Sequence, residues 1–269
     1  MTHIQTTLIG ITFALFLNPV FATEEVVNNN STITLAKQDQ NPLARFYSLR
    51  FEDNAQFGFG PDDKLLNFFR IQPLIPLKLN ENWSLITRAV IPIVHQPWPE
   101  STNGLSDIAL AMFLTPARTG KFIWGAGPAL LLPTATDDII GTEKWAAGPA
   151  VAGVYSSGPW LAGAVIQNVW SFAGNEDRAD VNVMTLRPLV NYTLPNGWYL
   201  TSSPSIAANW EAADGKDRWL VPVGGGVGKV FTLGGQRMSA VVESYYHVKS
   251  PEIGPDWQLR LQFSFLYPH

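Results

Sequence analysis

The last stretch of the chain, Asp256 to Tyr267, constrains the fold most strongly because apolar and polar residues alternate along it. Six apolar residues from Trp257 to Tyr267 share one parity, polar residues share the other, and only Leu266 breaks the pattern. A period of two is the spacing of a β-strand, whose side chains point alternately to opposite faces. Such a strand fits a soluble sandwich, with its apolar face in a core, or a membrane barrel, with its apolar face in lipid.

The connections between strands favour the barrel. Similar alternation recurs from Leu43 onward, and we count twelve strands. Six mostly long, polar or acidic connections are 54–63, 95–104, 133–143, 173–180, 212–217 and 249–255. Shorter turns lie between them at 80–82, 116–120, 156–159, 195–197 and 233–235. Long loops at one end and tight turns at the other are typical of outer-membrane barrels. The sequence therefore predicts an all-β fold, a transmembrane antiparallel up-and-down β-barrel of about 12 strands with both chain ends in the periplasm.

The N-terminal region predicts export and three segments. Leu8 to Leu17 is an apolar run too short to span a bilayer, and Val20-Phe21-Ala22 resembles a cleavage site, although no Lys or Arg precedes the run. We therefore expect a signal peptide over 1–22. Residues 23–42 are mostly polar without a sustained period, which predicts a flexible periplasmic lead-in, and the outer-membrane barrel follows over 43–269.

Aromatic residues gather near predicted strand ends, which suits two interfacial girdles in a membrane, although large tryptophans also pack in soluble cores. The predicted membrane-interface aromatic residues are Trp83, Trp145, Trp160, Trp198, Trp210, Trp219, Trp257 and Tyr267. Six prolines inside predicted strands lack a ladder donor, so they either count against a regular barrel or mark bulges. These prolines are Pro73, Pro92, Pro128, Pro149, Pro188 and Pro222.

Nearly every clear strand carries a charge on its polar face, which a barrel would turn toward its lumen. This predicted lumen or constriction set is Arg50, Glu52, Arg70, Arg88, Asp107, Arg187, Glu211, Arg237, Glu243 and Arg260. Such residues can form a charged constriction that selects solutes. They can equally form a salt-bridge network that fills a narrow barrel and makes it rigid, because twelve strands enclose only a modest lumen. Both interpretations remain open at this point.

A lipid hydrolase is the enzymatic alternative for a membrane barrel. Acyl transfer needs a nucleophile and a base in hydrogen-bond reach. Ser239, Glu243 and His247 share one strand face, but Ser239 and His247 are too far apart along the strand to touch. Ser205 or Ser264 could approach His247 across strands, yet no motif fixes either one. We therefore expect no enzyme and no catalytic residues.

The acidic loops are the candidate metal ligands. Asp137, Asp138 and Glu143 carry the hard oxygen ligands that Ca²⁺ prefers, but they show no fixed ligand spacing. We expect no metal site and no cofactor, and the small net charge of -4, without a basic cluster, gives no reason to expect nucleic acid.

Several short motifs together resemble one protein family. They are Asn41-Pro42-Leu43-Ala44, Gly104-Leu105-Ser106-Asp107, Gly125-Ala126-Gly127-Pro128, Leu132-Pro133-Thr134-Ala135-Thr136-Asp137, Lys144-Trp145, Gly148-Pro149-Ala150, Gln167-Asn168, Trp170-Ser171-Phe172-Ala173-Gly174, Pro195-Asn196-Gly197-Trp198-Tyr199 and Trp219-Leu220-Val221-Pro222. In this order they resemble the MetA-pathway of phenol degradation family, which is also labelled neuromedin U-like. The resemblance covers residues from Asn41 to the end. It implies an exported Gram-negative outer-membrane β-barrel that passes aromatic or other apolar compounds, and it brings no catalytic residues.

The sequence thus predicts a porin-like passive channel for small apolar or aromatic solutes in the cell outer membrane. A structural or surface-interaction barrel with a plugged lumen is the alternative. The expected partners are the lipid bilayer with its lipopolysaccharide, the barrel-assembly machinery and, for a channel, the solute. The chain ends Phe265-Leu266-Tyr267-Pro268-His269, whereas outer-membrane strands commonly end on Phe, so we expect recognition by the assembly machinery either to use an internal aromatic residue or to be less efficient.

Overall fold

A computed structural model describes residues 29–118 and 120–267, so the predicted signal peptide lies outside the described residues. The described chain forms one α-helix, two 3-10 helices at Asp138–Ile140 and Pro195–Gly197, and fourteen strand segments, and no helix within it is long and apolar enough to cross a membrane. The bounds are α1 Asn29–Asp39, β1 Tyr47–Phe59, β2 Lys64–Lys78, β3 Trp83–Gln96, β4 Thr102–Leu105, β5 Ile108–Pro116, β6 Phe122–Leu132, β7 Lys144–Ser157, β8 Trp160–Gly174, β9 Asn182–Thr193, β10 Trp198–Ser202, β11 Ile206–Asn209, β12 Trp219–Leu233, β13 Gln236–Lys249 and β14 Trp257–Tyr267.

The strands close into an antiparallel barrel. β1 pairs with β14, and β12 pairs with β13 on one side and with β10 and β11 on the other. β10 and β11 both lie between β9 and β12, so they are two pieces of one wall strand that is interrupted at 203–205. β4 is a short addition to β3 outside the main order. The wall therefore has twelve strands and no free edge, which confirms the predicted fold.

The two ends of the barrel differ as expected. One end, the short-turn end, carries the turns 79–82, 117–121, 158–159, 194–197 and 234–235. Tyr47 pairs with Tyr267 there, so the wall begins and ends at this end. The opposite, long-loop end carries most of the longer connections. The first connection is the exception: it spans only 60–63 rather than 54–63, because β1 continues to Phe59.

Side chains alternate between the two faces of the wall. Along β14 every second residue from Gln258 to Leu266 is buried, and the residues between them are partly or fully exposed. Six of the eight predicted girdle aromatics are exposed on the outside, and Trp83 and Trp219 are half-buried. Leu266, which interrupts the sequence pattern, faces inward and belongs to a buried apolar cluster. The outer face is therefore an apolar belt suited to lipid.

One polar pair interrupts this outer belt. Asp53 has the outward parity of β1 and pairs in register with Phe69 and Leu261, both exposed. Asn67 of β2 donates a hydrogen bond of 2.9 Å to the Asp53 carboxylate. Polar groups that face lipid in the middle of a strand destabilise a barrel in proportion to their depth.

We expect that replacing both members of this pair, Asp53→Leu with Asn67→Leu, stabilises the barrel in phospholipid vesicles by about 1–3 kcal/mol. The double change removes both polar groups, so neither is left unpaired in lipid. Urea unfolding followed by tryptophan fluorescence measures the effect. Asp62→Leu, in the exposed turn between β1 and β2, is the control and should change little. An unchanged or lower stability of the double variant would show that the pair does not face acyl chains.

Four of the six strand prolines lie where the wall ladder is irregular. The β2–β3 register is discontinuous beside Pro73, the β5–β6 register beside Pro128 and the β7–β8 register beside Pro149. A register shift occurs at Pro222 in β12. Each proline lacks the N–H that the ladder needs, so the register of one neighbouring strand breaks or shifts beside it. Beside Pro149, Gly148 lets β7 approach β8 closely, because a Cβ on Gly148 would lie 1.8 Å from the backbone oxygen of Asn168.

The expected flexible lead-in differs from the structure over its described part. Residues 29–39 form α1, and side chains between Leu35 and Phe46 are buried inside the barrel at the short-turn end. The buried ones are Leu35, Ala36, Asp39, Leu43, Ala44 and Phe46. The segment's few apolar residues pack in clusters on the inner wall, and its polar residues Asp39 and Gln40 find partners there. We call residues 35–46 the plug.

Candidate functional site

The plug crosses the lumen. Leu35 and Ala36 pack in a cluster with Tyr199 of β10 and Val241 of β13. Leu43 packs on the opposite wall, in a cluster with residues of β3, β5, β6 and β7. The segment between these contacts therefore spans the barrel interior from one side to the other.

Polar contacts anchor the plug at its centre. The buried Asp39 carboxylate accepts a hydrogen bond of 2.6 Å from the Ser239 hydroxyl, and its second oxygen lies 3.5 Å from Arg50. Arg50 also donates to the Asp39 backbone oxygen at 3.1 Å. Farther along, the guanidinium of Arg45 donates to the backbone oxygens of Pro116 and Ala117 in a short turn. These contacts hold the plug to three different parts of the wall.

A charged network centred on Glu52 lies on the inner face of β1, β2 and β3. Glu52 is buried and accepts hydrogen bonds from Arg70 at 2.5 Å and from Gln72 at 3.2 Å. Gln72 in turn accepts a hydrogen bond from Arg88. Charge-assisted bonds of this kind restrict both partners. The network joins β1, β2 and β3 across the inner wall.

A second network surrounds Glu243 of β13. Its carboxylate accepts from Arg260 at 2.7 and 2.8 Å, from the Tyr245 hydroxyl at 2.6 Å and from Gln262 at 2.9 Å. Arg260 also donates to the backbone oxygen and hydroxyl of Ser203, both at 3.0 Å. Ser203 lies in the break between β10 and β11, so the interrupted strand supplies two further hydrogen-bond acceptors to Arg260.

The structure brings seven of the ten predicted lumen residues into these networks or against the cavities between them, namely Arg50, Glu52, Arg70, Arg88, Arg187, Glu243 and Arg260. Three lie elsewhere. Asp107 is buried in a loop near the long-loop end and accepts bonds from the backbone N–H groups of Ala135 and Thr142. Glu211 is exposed in the loop after β11, and Arg237 is exposed beside a short turn. The alternation along a strand predicts which face a residue occupies but not its position along the barrel axis. It therefore could not distinguish these three residues, which lie at the ends of the barrel, from the seven in the lumen.

The other half of the lumen is apolar, which sequence analysis did not predict. Inward positions of β5 to β8 carry mostly small or apolar side chains, with Thr115 and Gln167 as polar exceptions, and the middle strands are too rich in Gly and Ala for parity to be assigned. The buried members of this wall include Phe113, Ala129, Ala150 and Ala152. The lumen therefore has a polar side on β1, β2, β13 and β14 and an apolar side on β5 to β8.

Two cavities lie where these sides meet. Both are lined by Pro42 of the plug, by Val165 of β8, and by Arg88 and Arg187. The second cavity also touches Phe113 and other apolar residues of β5. Arg187 binds Ser205 through Nε at 3.1 Å, a contact again provided by the break between β10 and β11. The second cavity thus combines an apolar wall with two cationic groups and two neutral polar side chains, Gln167 and Thr185. The first cavity is more polar and also meets Arg50 and the plug residue Asp39.

The long loops are tied to one another near β7 to β9. Arg178 donates to the backbone oxygens of Asp138 and Gly141, both at 2.7 Å. Asp180 accepts a hydrogen bond from Ser171 at 3.0 Å and pairs with Lys144 at 3.3 Å. The Ser171 bond and then the Lys144 ammonium lower the pKa of the Asp180 carboxyl. These contacts connect two neighbouring loops at the long-loop end.

The histidine contacts differ from those of a catalytic dyad. His247 bonds through Nδ1 to the Pro255 backbone oxygen at 2.7 Å and through Nε2 to Gln258 at 3.3 Å. Ser264 accepts from Arg50 and pairs with Ser239, eight residues from His247 along β13, and Ser205 accepts from Arg187, so neither serine is a hydrogen-bond partner of His247. Across residues 29–118 and 120–267, no group of three or more His, Cys, Asp or Glu side chains is placed to hold a metal ion.

Comparisons with known structures support the barrel fold. The fold is similar to that of the COG4313 outer-membrane channel from Pseudomonas putida F1, with a TM-score of 0.64 and 16% identity, over 85% of this chain and 98% of that chain. It is also similar to the NanC porin, with a TM-score of 0.52 and 9% identity, over 83% of this chain and 100% of that one. No protein-family model and no curated protein matches the sequence. The chain is an outer-membrane β-barrel by its fold and apolar belt, and the MetA-pathway family stays a prediction.

Proposed function

We propose that this barrel is a passive outer-membrane channel for small solutes that carry apolar or aromatic groups. The observation that carries the proposal is the pair of cavities in the lumen, which share Arg88 and Arg187 and of which the second is lined largely by apolar residues. Apolar surface with a few convergent polar groups is typical of ligand sites.

Two further points support this proposal. Structures with the same fold include one described as an outer-membrane channel and one described as a porin. The motifs that resemble the MetA-pathway family point to aromatic or apolar compounds as the solutes. We further propose, with the sequence analysis, that the short-turn end faces the periplasm, and that the barrel-assembly machinery and a lipopolysaccharide-containing membrane are its partners.

The proposed channel is gated by the plug. Residues 35–46 cross the lumen, so a solute can pass only when the plug moves aside or loosens. The same observation favours a second candidate, a structural barrel whose lumen is permanently closed. The two candidates differ in whether the folded barrel ever conducts.

Planar-bilayer recording of the refolded full-length mature chain tests the choice. We expect brief, discrete conductance steps, together with swelling of proteoliposomes in small uncharged solutes. Heat-modifiable migration on gels confirms that the barrel is folded in each sample. Folded protein that gives neither channel steps nor swelling would contradict the channel and favour the structural barrel.

A further inference from the structure

We propose that the lumen holds a binding site for small organic carboxylates with an apolar body, the anion being bound by Arg88 and Arg187. The inference deepens the proposed channel function and rests on it for its physiological meaning, but it makes a separate claim about binding. It identifies the solute class by charge as well as by hydrophobicity.

The first argument is the position of the two arginines. Arg88 lies on β3 and Arg187 on β9, the two strands that flank the apolar wall formed by β5 to β8. Both side chains line each of the two cavities. A molecule that lies against the apolar wall therefore has a guanidinium group within the same cavity lining.

The second argument is the unused hydrogen-bonding capacity of these arginines. Arg88 donates to the neutral oxygen of Gln72, and Arg187 donates through Nε to the neutral hydroxyl of Ser205. In the part of the chain that the structure describes, neither is within salt-bridge distance of a carboxylate, whereas Arg50, Arg70 and Arg260 each are. A guanidinium carries five N–H donors in a planar fork that matches a carboxylate.

The third argument is the balance of charge. The described lumen networks and cavities contain five arginines, Arg50, Arg70, Arg88, Arg187 and Arg260, against the three carboxylates of Asp39, Glu52 and Glu243. The excess is positive, and the two arginines that form no ion pair with a carboxylate, Arg88 and Arg187, line both cavities. In a narrow lumen with apolar walls such an excess attracts anions and repels cations.

The apolar wall determines the rest of the ligand. Val90, Ala111, Phe113 and Val165 line the second cavity between the two arginines. A phenyl ring or a short branched alkyl chain can cover this surface while its carboxylate reaches a guanidinium. Benzoate is the simplest probe with both features.

Binding is measured by isothermal titration calorimetry on the folded chain in detergent micelles at low salt. We expect sodium benzoate to bind, sodium acetate to bind at least roughly tenfold more weakly because it lacks the apolar body, and benzylammonium chloride not to compete.

The variants Arg88→Met and Arg187→Met should each weaken benzoate binding by roughly tenfold or more, and the double variant should abolish it. Arg237→Met, which removes an exposed arginine beside a short turn, is the matched control and should leave binding unchanged.

Each outcome decides the inference. Absence of benzoate binding in the unmodified chain, equal binding of acetate, or full binding in the double variant would overturn it. If a variant fails to fold, the comparison of benzoate, acetate and benzylammonium on the unmodified chain still decides. Benzoate binding by a folded barrel that never conducts would support this site and refute the channel, so the two proposals can fail separately.

Discussion

Deletion of residues 29–44 is expected to convert the barrel from a rarely conducting pore into a persistently conducting one. The deletion removes Leu35, Ala36 and Leu43 from clusters on opposite walls, and no other described segment crosses the lumen at the short-turn end. The wall itself keeps all twelve strands, because β1 begins at Tyr47. Planar-bilayer recordings should show mean current per folded barrel raised by roughly tenfold or more, since removing a constriction widens the conducting path.

A point variant tests the same barrier without shortening the chain. Asp39→Ala removes the carboxylate that binds Ser239 and Arg50, so the closed position of the plug loses its central anchor. A loss of about 1.4 kcal/mol in that anchor would raise the ratio of open to closed states about tenfold. Asp62→Ala removes a carboxylate that pairs with Lys64 on the exposed surface and should leave gating unchanged.

Unchanged conductance in the folded deletion variant would show that the barrier to flow lies outside the plug. The loops that Arg178 joins at the opposite end would then be the next candidates. The deletion and the Asp39 variant should agree in direction, because both act on the same segment. If the deletion variant conducts but Asp39→Ala leaves the conductance unchanged, the plug is held mainly by the apolar contacts of Leu35 and Leu43.

The wall could be predicted from the sequence because lipid imposes a simple rule on it. Each strand must alternate apolar and polar residues, and each strand must be connected to the next by a turn or loop. The alternation from Trp257 to Tyr267, its recurrence along the chain and the unequal lengths of the connections were therefore sufficient to predict the barrel and its number of strands. Even Leu266, the one break in that alternation, has a physical reason, because it faces inward against the plug cluster. The strand prolines were ambiguous in sequence, and the interrupted ladders beside Pro73 and Pro149 explain how the wall includes them.

The interior was harder to predict because its contents obey no period. The plug reads as a polar segment, and its fold depends on partners such as Ser239 and Tyr199, which are distant in sequence. The apolar wall of β5 to β8 alternates small residues with large ones, so both faces look apolar. The break at 203–205 supplies Ser203 and Ser205 to two arginines, and only Pro204 in the sequence indicates that a strand is interrupted there.

Replacement of Glu243 by alanine is expected to cost the barrel about 3–5 kcal/mol, because it leaves the Arg260 guanidinium buried without its carboxylate. The side chains of both residues are at most 3% exposed, and Glu243 also accepts from Tyr245 and Gln262. Arg260 keeps its bonds to Ser203, which places the expected loss toward the lower part of that range.

Urea unfolding in phospholipid vesicles, followed by tryptophan fluorescence, measures the change, and the double variant Glu243→Gln with Arg260→Met should recover most of it, because no buried charge then remains unpaired. Lys64→Ala, which breaks an exposed pair with Asp62, provides the scale for a surface contact and should cost no more than about 1 kcal/mol. A loss for Glu243→Ala as small as that of Lys64→Ala would mean that water reaches Arg260 freely, and the lumen beside β13 and β14 would then be an open passage rather than a rigid wall.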